Sequence, residues 1–315
     1  MTQPTSILIG APVDCGKARR GCVMGPDAYR VAGLAEALGD LGHRVRDIGN
    51  LAARPATVPE EMPPHIHAPA ETIGWTEALQ QAASEAMREG LPIFLGGDHS
   101  LSLGSVAGVA ADAARRGRPQ YVLWLDAHSD YHTPQSTDSG NLHGTPLGYV
   151  TGRAGFHGFP PLTHPVAQEN ICILGLRSVD AAERAALAGT AIRCHDMREI
   201  DERGIARPLA EFLEDVRRAG GALHVSLDVD FLDPSFAPAV GTTVPGGATI
   251  REAHLVMEMI CDSGLMSSLD LVELNPFLDD RGRTAQVMVD LAASALGRRV
   301  FDRPTQAWAH QGSLI

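Results

Sequence analysis

Short apolar runs at residues 7–9, 93–95, 122–125, 171–174, 223–227 and 269–272 are separated by stretches of helical character, and this alternation limits the fold more than any other feature. Between the runs, apolar residues return at three- and four-residue spacing over 75–89, 102–116, 208–218, 250–261 and 284–296, the pattern of one helix face. Such repetition predicts parallel βα units and an α/β fold. At 315 residues, length alone admits one large domain or two smaller ones, and neither an internal repeat nor a domain-sized linker divides the chain. Two segments break the pattern. Residues 51–72 carry Pro55, Pro59, Pro63, Pro64 and Pro69 and are expected to form an irregular surface excursion. Residues 131–168 are rich in Gly, Pro, Thr, Ser and His, and a loop that long inside a compact fold is expected to be functional. The tail 298–315 has no clear pattern.

Three of the apolar runs end in groups that a buried strand does not carry without compensation. One leads into Asp126-Ala127-His128-Ser129-Asp130, where alternate residues of an extended chain share a face and bring two carboxylates and an imidazole into one space. Another leads into Gly96-Gly97-Asp98-His99-Ser100, and a third into Asp228-Val229-Asp230. The carboxyl ends of parallel strands lie on one edge of the sheet, outside which binding crevices form, so His99, Asp126, His128, Asp130, Asp228 and Asp230 converge. Four carboxylates crowded there repel one another by several kcal/mol per pair at about 4 Å, even in an effective dielectric near 20. Two divalent cations cancel that charge. The oxygen-rich set offers one imidazole per ion and no thiolate, which suits Mn²⁺ better than structural Zn²⁺. A two-ion site activates water near neutral pH, so hydrolysis is the expected chemistry. Asp98 is expected to orient a neighbour rather than bind metal, and His224, inside an apolar run, to be a hydrogen-bonded core histidine.

Composition removes several classes. Hydrophobic residues at 44% and charged residues at 20% fit a globular protein rather than a disordered or membrane one. A net charge of −12 argues against a nucleic-acid surface. Cys15, Cys22, Cys172, Cys194 and Cys261 are odd in number, scattered and without CxxC spacing, so free thiols in a reducing cytoplasm are expected. Residues 1–9 lack a basic segment followed by a long apolar one and no run approaches the roughly 20 apolar residues of a spanning helix, so a soluble intracellular protein is expected. Residues 10–18 superficially suggest a phosphate loop, but Gly10 is one residue too far from Gly16 and Ala18 lacks the hydroxyl that would meet magnesium.

The motifs Gly96-Gly97-Asp98-His99-Ser100, Asp126-Ala127-His128-Ser129-Asp130 and Ser226-Leu227-Asp228-Val229-Asp230, the last followed by Leu232-Asp233-Pro234, resemble those of the arginase, or ureohydrolase, family. Gly10-Ala11-Pro12, Arg20-Gly21, Gly25-Pro26 and Glu273-Leu274-Asn275-Pro276 extend the resemblance in the family's order along nearly the whole chain. The resemblance implies a single domain over residues 1–315, a three-layer α/β/α sandwich on a mainly parallel sheet, and a homotrimer or homohexamer. It implies two Mn²⁺ per subunit, one held by His99, Asp126, Asp130 and Asp228, the other by Asp126, His128, Asp228 and Asp230, with Asp126 and Asp228 shared.

The same resemblance implies a small guanidino substrate, L-arginine first, cleaved to L-ornithine and urea. Thr137 and Ser139 would meet the α-carboxylate, Asp180 with Glu183 nearby the α-ammonium, and Thr242 and Glu273 the guanidinium. His143 matches the proton shuttle, and an imidazole titrating near neutrality suits protonation of a leaving amine. Asp130 would help move the proton of the attacking water. The chain departs from the family at His132, where arginases place an asparagine, which keeps 4-guanidinobutyrate and hydroxylated arginine as alternative substrates; agmatine is less favoured because the carboxylate-binding Thr137 and Ser139 are present. A one-zinc deacetylase on a similar scaffold is disfavoured by the complete second metal set, and a non-catalytic homologue by the presence of every ligand.

Overall fold

The computed structural model describes residues 4–301. Its strands are β1 (Thr5–Ala11), β2 (Arg44–Asn50), β3 (Leu91–Gly96), β4 (Gln120–Leu125), β5 (Ile171–Leu176), β6 (Arg193–Asp196), β7 (Ala222–Asp228) and β8 (Met266–Val272). They form one sheet in the order β2-β1-β3-β8-β7-β4-β5-β6, every adjacent pair parallel. The helices are α1 (Gly25–Val31), α2 (Leu34–Asp40), α3 (Pro69–Ala86), α4 (Ser102–Arg115), α5 (Pro146–Val150), α6 (Ala181–Leu187), α7 (Met197–Arg203), α8 (Ala206–Arg218), α9 (Ile250–Ser263) and α10 (Arg283–Ala295).

Alternate strand residues point to opposite faces, so each inner strand feeds two cores. Leu8, Leu95, Leu123, Leu125, Val225 and Leu227 pack beneath α1, α2, α8, α9 and α10. Ile9, Phe94, Val122, Trp124 and Ile173 pack beneath α3, α4 and α5 on the other side. The result is the expected α/β/α arrangement. Each of these side chains is wholly buried, and burying one of this size contributes about 2 kcal/mol. Local signals set the helix ends. Thr249 and Glu252 form a reciprocal capping box at the start of α9, and Gly264 ends that helix at φ 65°, a conformation a side chain disfavours.

The two strands that apolar runs did not predict are the edges, β2 and β6. An edge strand pairs on one side only and can present charge outward, which erases the apolar signal: Arg44, Arg46, Asp47 and Ile48 of β2 are exposed, and β6 is Arg-Cys-His-Asp. The Pro-rich excursion also ends earlier than its composition suggests, because Pro69 sits at the start of α3, where a missing N–H is harmless. Within the long loop the chain winds into a 3₁₀ turn at Leu142–Gly144 and into α5. Most of the tail, 302–315, lies outside the described residues. Among those described, no helix is long and apolar enough to cross a membrane.

Topology places the crevice. β4 connects onward to β5, and β7, its neighbour in the sheet, to β8 on the opposite side, so the chain parts between β4 and β7 at their carboxyl ends.

Candidate metal centre

Four adjacent central strands, β3, β8, β7 and β4, deliver the polar cluster to that edge. After β3, Asp98 caps a short 3₁₀ turn by accepting the Ser100 N–H at 3.0 Å, and also takes the Gly16 N–H at 2.8 Å. It thus holds the turn that aims His99, the orienting part expected of it. His99 is 1% exposed, stacks on Trp124 with centroids 4.1 Å apart, and pairs its Nε2 with Ser226 Oγ at 2.8 Å. Its Nδ1 then faces three carboxylates, with Asp126 Oδ2 at 3.0 Å, Asp130 Oδ2 at 3.1 Å and Asp228 Oδ2 at 3.0 Å. His128 Nδ1 stands 2.9 Å from Asp230 Oδ2 and 3.4 Å from Asp126 Oδ1. Backbone N–H groups hold the carboxylates in turn: Ala127 donates to Asp230 at 2.9 Å, His128 to Asp126 at 2.6 Å and Asp230 to Asp228 at 2.7 Å.

This arrangement fits metal ions. An ion with bonds of about 2.1 Å sets neighbouring octahedral ligand atoms about 3 Å apart, the spacing around His99 Nδ1. That nitrogen and Asp126 Oδ2 are buried and make no hydrogen bond, as ligand atoms aimed at a common point would. His99, Asp126 and Asp130 form one group able to hold a metal, and Asp126, His128 and Asp230 a second that shares Asp126. The electrostatics ask for positive charge. Burial alone would pull the His128 imidazole down, but Asp230 and Asp126 push it up to about 12. Burial and the Asp126 charge push the Asp130 carboxyl up to about 6. Backbone conformation is spent here too: Asp130 at φ 46° and Glu273 at φ 66° are non-glycine residues in the left-handed region, a strain that clusters at functional sites.

At the cluster is a cavity of about 290 Å³, reached by His132, Ser139, His143, Asp180, Glu183, Thr242 and Glu273 besides all six residues of the candidate metal set. Thr137 is set back from it, 4% exposed, with its hydroxyl 3.1 Å from that of Ser139. His143 Nδ1 lies 2.9 Å from Glu273 Oε1, which also accepts the His99 N–H at 2.9 Å. Burial works against the Glu273 charge, but Lys17 and His143 outweigh it and hold the carboxyl well below its usual range. His132 joins Ser136 Oγ at 3.0 Å to Asp180 Oδ2 at 2.8 Å, while Asp180 and Glu183 cap α6 reciprocally.

Three participants escaped the sequence reading. Asn141 and Ser178 line the cavity, and Lys17 is ion-paired with Glu273 beneath it. Lys17 lies inside the false phosphate loop, and its presence beside Arg19 and Arg20 in a mostly apolar, Gly-rich stretch was the available signal. Away from the cavity, His224 is wholly buried between β-strands with Nδ1 2.8 Å from Ser268 Oγ, as a core histidine should be.

The sequence matches the family described as "Arginase family" over residues 5–297. It is 61% identical over 300 residues to the arginase of Brucella melitensis biotype 1, covering 95% of this chain and 98% of that protein. It is 56% identical over 307 residues to the arginase of Agrobacterium fabrum, covering 96% and 94%. Among solved structures, the native arginase of Bacillus caldovelox superposes with a TM-score of 0.85 at 36% identity, covering 95% of this chain and 100% of that one.

Proposed function

The chain belongs to the arginase family, and from that premise we propose that it hydrolyses the guanidino group of L-arginine to give L-ornithine and urea. One observation carries the reading at the level of chemistry: a single cavity joins an imidazole nitrogen ringed by three carboxylates to an outer end bearing Ser139, Asp180 and Glu183. The inner end suits metal and the outer end an amino-acid head group. We assign two Mn²⁺ per subunit, one to His99, Asp126, Asp130 and Asp228, the other to Asp126, His128, Asp228 and Asp230. When bound, such ions neutralise the carboxylates and supply water acidified to near neutral pH together with Lewis-acid stabilisation of the developing charge.

The chain's own groups do the rest. Ser139, backed by Thr137, donates to the substrate carboxylate. Asp180 and Glu183 accept from the α-ammonium, with His132 bonded to the first of them. Thr242 and Glu273 line the guanidino end. Asp130 accepts the proton of the attacking water. His143, whose Nδ1–H is committed to Glu273, keeps Nε2 for the proton given to the departing amine. Burial lowers the affinity of His143 for that proton, but the Glu273 carboxylate more than restores it, so the net shift is upward.

A cytoplasmic setting, a single domain over 1–315 and assembly as a homotrimer or homohexamer belong to the same reading; free, buried Cys15, Cys22 and Cys172 support the first. The test is urea release after manganese loading, over L-arginine, agmatine and 4-guanidinobutyrate. L-arginine is expected to lead, and a preference for either substrate lacking part of its head group overturns the assignment.

A further inference from the structure

The reaction above gives Lys17 no part, yet Lys17 is 3% exposed and ion-paired with Glu273, which lines the cavity. Its Nζ is ion-paired with Glu273 Oε2 and donates to Cys22 Sγ at 3.0 Å. Gly241 closes over it; a Cβ at that position would come within 3.3 Å of Nζ. A buried ammonium is retained only where a partner repays its lost hydration. The partner here is itself committed. Glu273 is 3% exposed, sits in the left-handed region directly after β8, and uses Oε1 for both the His99 N–H and His143 Nδ1. Without Lys17, Oε2 would face only Cys22 Sγ, at 3.9 Å, beside a chamber already lined by five aspartates.

We propose that Lys17 is a positioning residue: it is the counter-ion of Glu273, and by pinning Oε2 it aims Oε1 at His143 and at the turn bearing His99. The substrate guanidinium then enters as a hydrogen-bonding guest of a carboxylate already neutralised. Because Glu273 accepts only, its hold on His143 Nδ1 fixes one tautomer of the neutral ring, with the proton on Nδ1 and the lone pair on Nε2. This rests on the reading of His143 as the group that protonates the leaving amine.

The test compares Lys17→Met, Lys17→Arg and Lys17→Ala with the wild-type chain. In Lys17→Met, kcat for L-arginine is expected to fall about a hundredfold, the lower end of what a general acid contributes. KM is expected to stay within about threefold, because an interaction that matters in the transition state is lost rather than ground-state binding. Bound manganese should match wild type. Ethylammonium should partly restore Lys17→Ala, while ethanol should not. Independently of turnover, ¹⁵N spectra of the metal-free proteins at alkaline pH should give a single Nδ1–H tautomer of His143 in wild type and a mixture in Lys17→Met. An unchanged kcat, a loss confined to KM, or an unchanged tautomer overturns the proposal. Should Lys17→Met fail to fold, Lys17→Arg decides: retained kcat and tautomer support a charge-bearing role, and their loss overturns it. Wild type that releases no urea removes the functional reading alone, since the spectra still test Lys17.

Discussion

His132 illustrates how one residue ties together separate parts of the cavity wall. It lies two residues after Asp130, and its ring spans from Ser136 to Asp180, which is 48 positions away. The Asp180 carboxylate can only accept, so Nε2 donates to it, and Nδ1 faces Ser136 Oγ, which accepts the Thr133 N–H at 2.9 Å. A hydrogen bond to a charged group contributes about 1.5–3 kcal/mol. Asp180 is half exposed and solvent screens part of that, so His132→Ala should raise KM for L-arginine a few-fold, to at most about tenfold. It should leave KM for 5-guanidinopentanoate, which lacks the amino group, nearly unchanged; equal losses on both substrates in steady-state kinetics would refute this role. The proposed metal-holding residues were legible because each sits at or just beyond the end of an apolar run. The partners of His132 and Glu273 were not, since Asp180 and Lys17 reach them across 48 and 256 residues through folding alone.

At the scale of elements, the segment between β7 and α9 carries Thr242 to the cavity and is tied down by Asp233. That carboxylate accepts from Ser235 Oγ at 2.5 Å and N–H at 2.9 Å, and from the Gly246 N–H at 2.7 Å. The Ser235 hydroxyl is the largest influence holding the carboxyl down to about 2. A depressed carboxylate stabilises the folded form above the unfolded value of about 3.9, and that contribution disappears as pH falls toward about 2. The tie should therefore be intact across neutral and mildly acidic pH. Asp233→Ala should speed amide hydrogen exchange over residues 233–248 while β7 keeps its protection; exchange that rises equally in both would mean a global rather than local loss. Helices α9 and α10 were readable nearly to their ends because each buries one face, and α4 because it is buried over most of its length. Helices α1, α2, α6 and α7 span only seven residues apiece, too few turns for a period to stand out.

For the molecule as a whole, the acidic cluster couples stability to metal and to pH. With Asp130 pushed up to about 6 by burial and Asp126, the metal-free fold prefers the protonated carboxyl. Its stability should fall as pH rises from about 4 to about 6, the opposite sign to Asp233. Ions compete with those protons, so the gain in melting temperature on adding Mn²⁺ should be larger near pH 8 than near pH 5. A gain independent of pH in thermal denaturation would sink that coupling. Sheet order carries a further consequence, for synthesis. β8 is the last strand to be made, yet it lies between β3 and β7, so β2-β1-β3 cannot join β7-β4-β5-β6 until residue 272 is available. While residues 266–272 are still unmade, β3 and β7 both lack the neighbour they pair with in the finished sheet. Insertion of β8 closes both edges in one step and brings Glu273 to the crevice, so the chain matures as it is sealed.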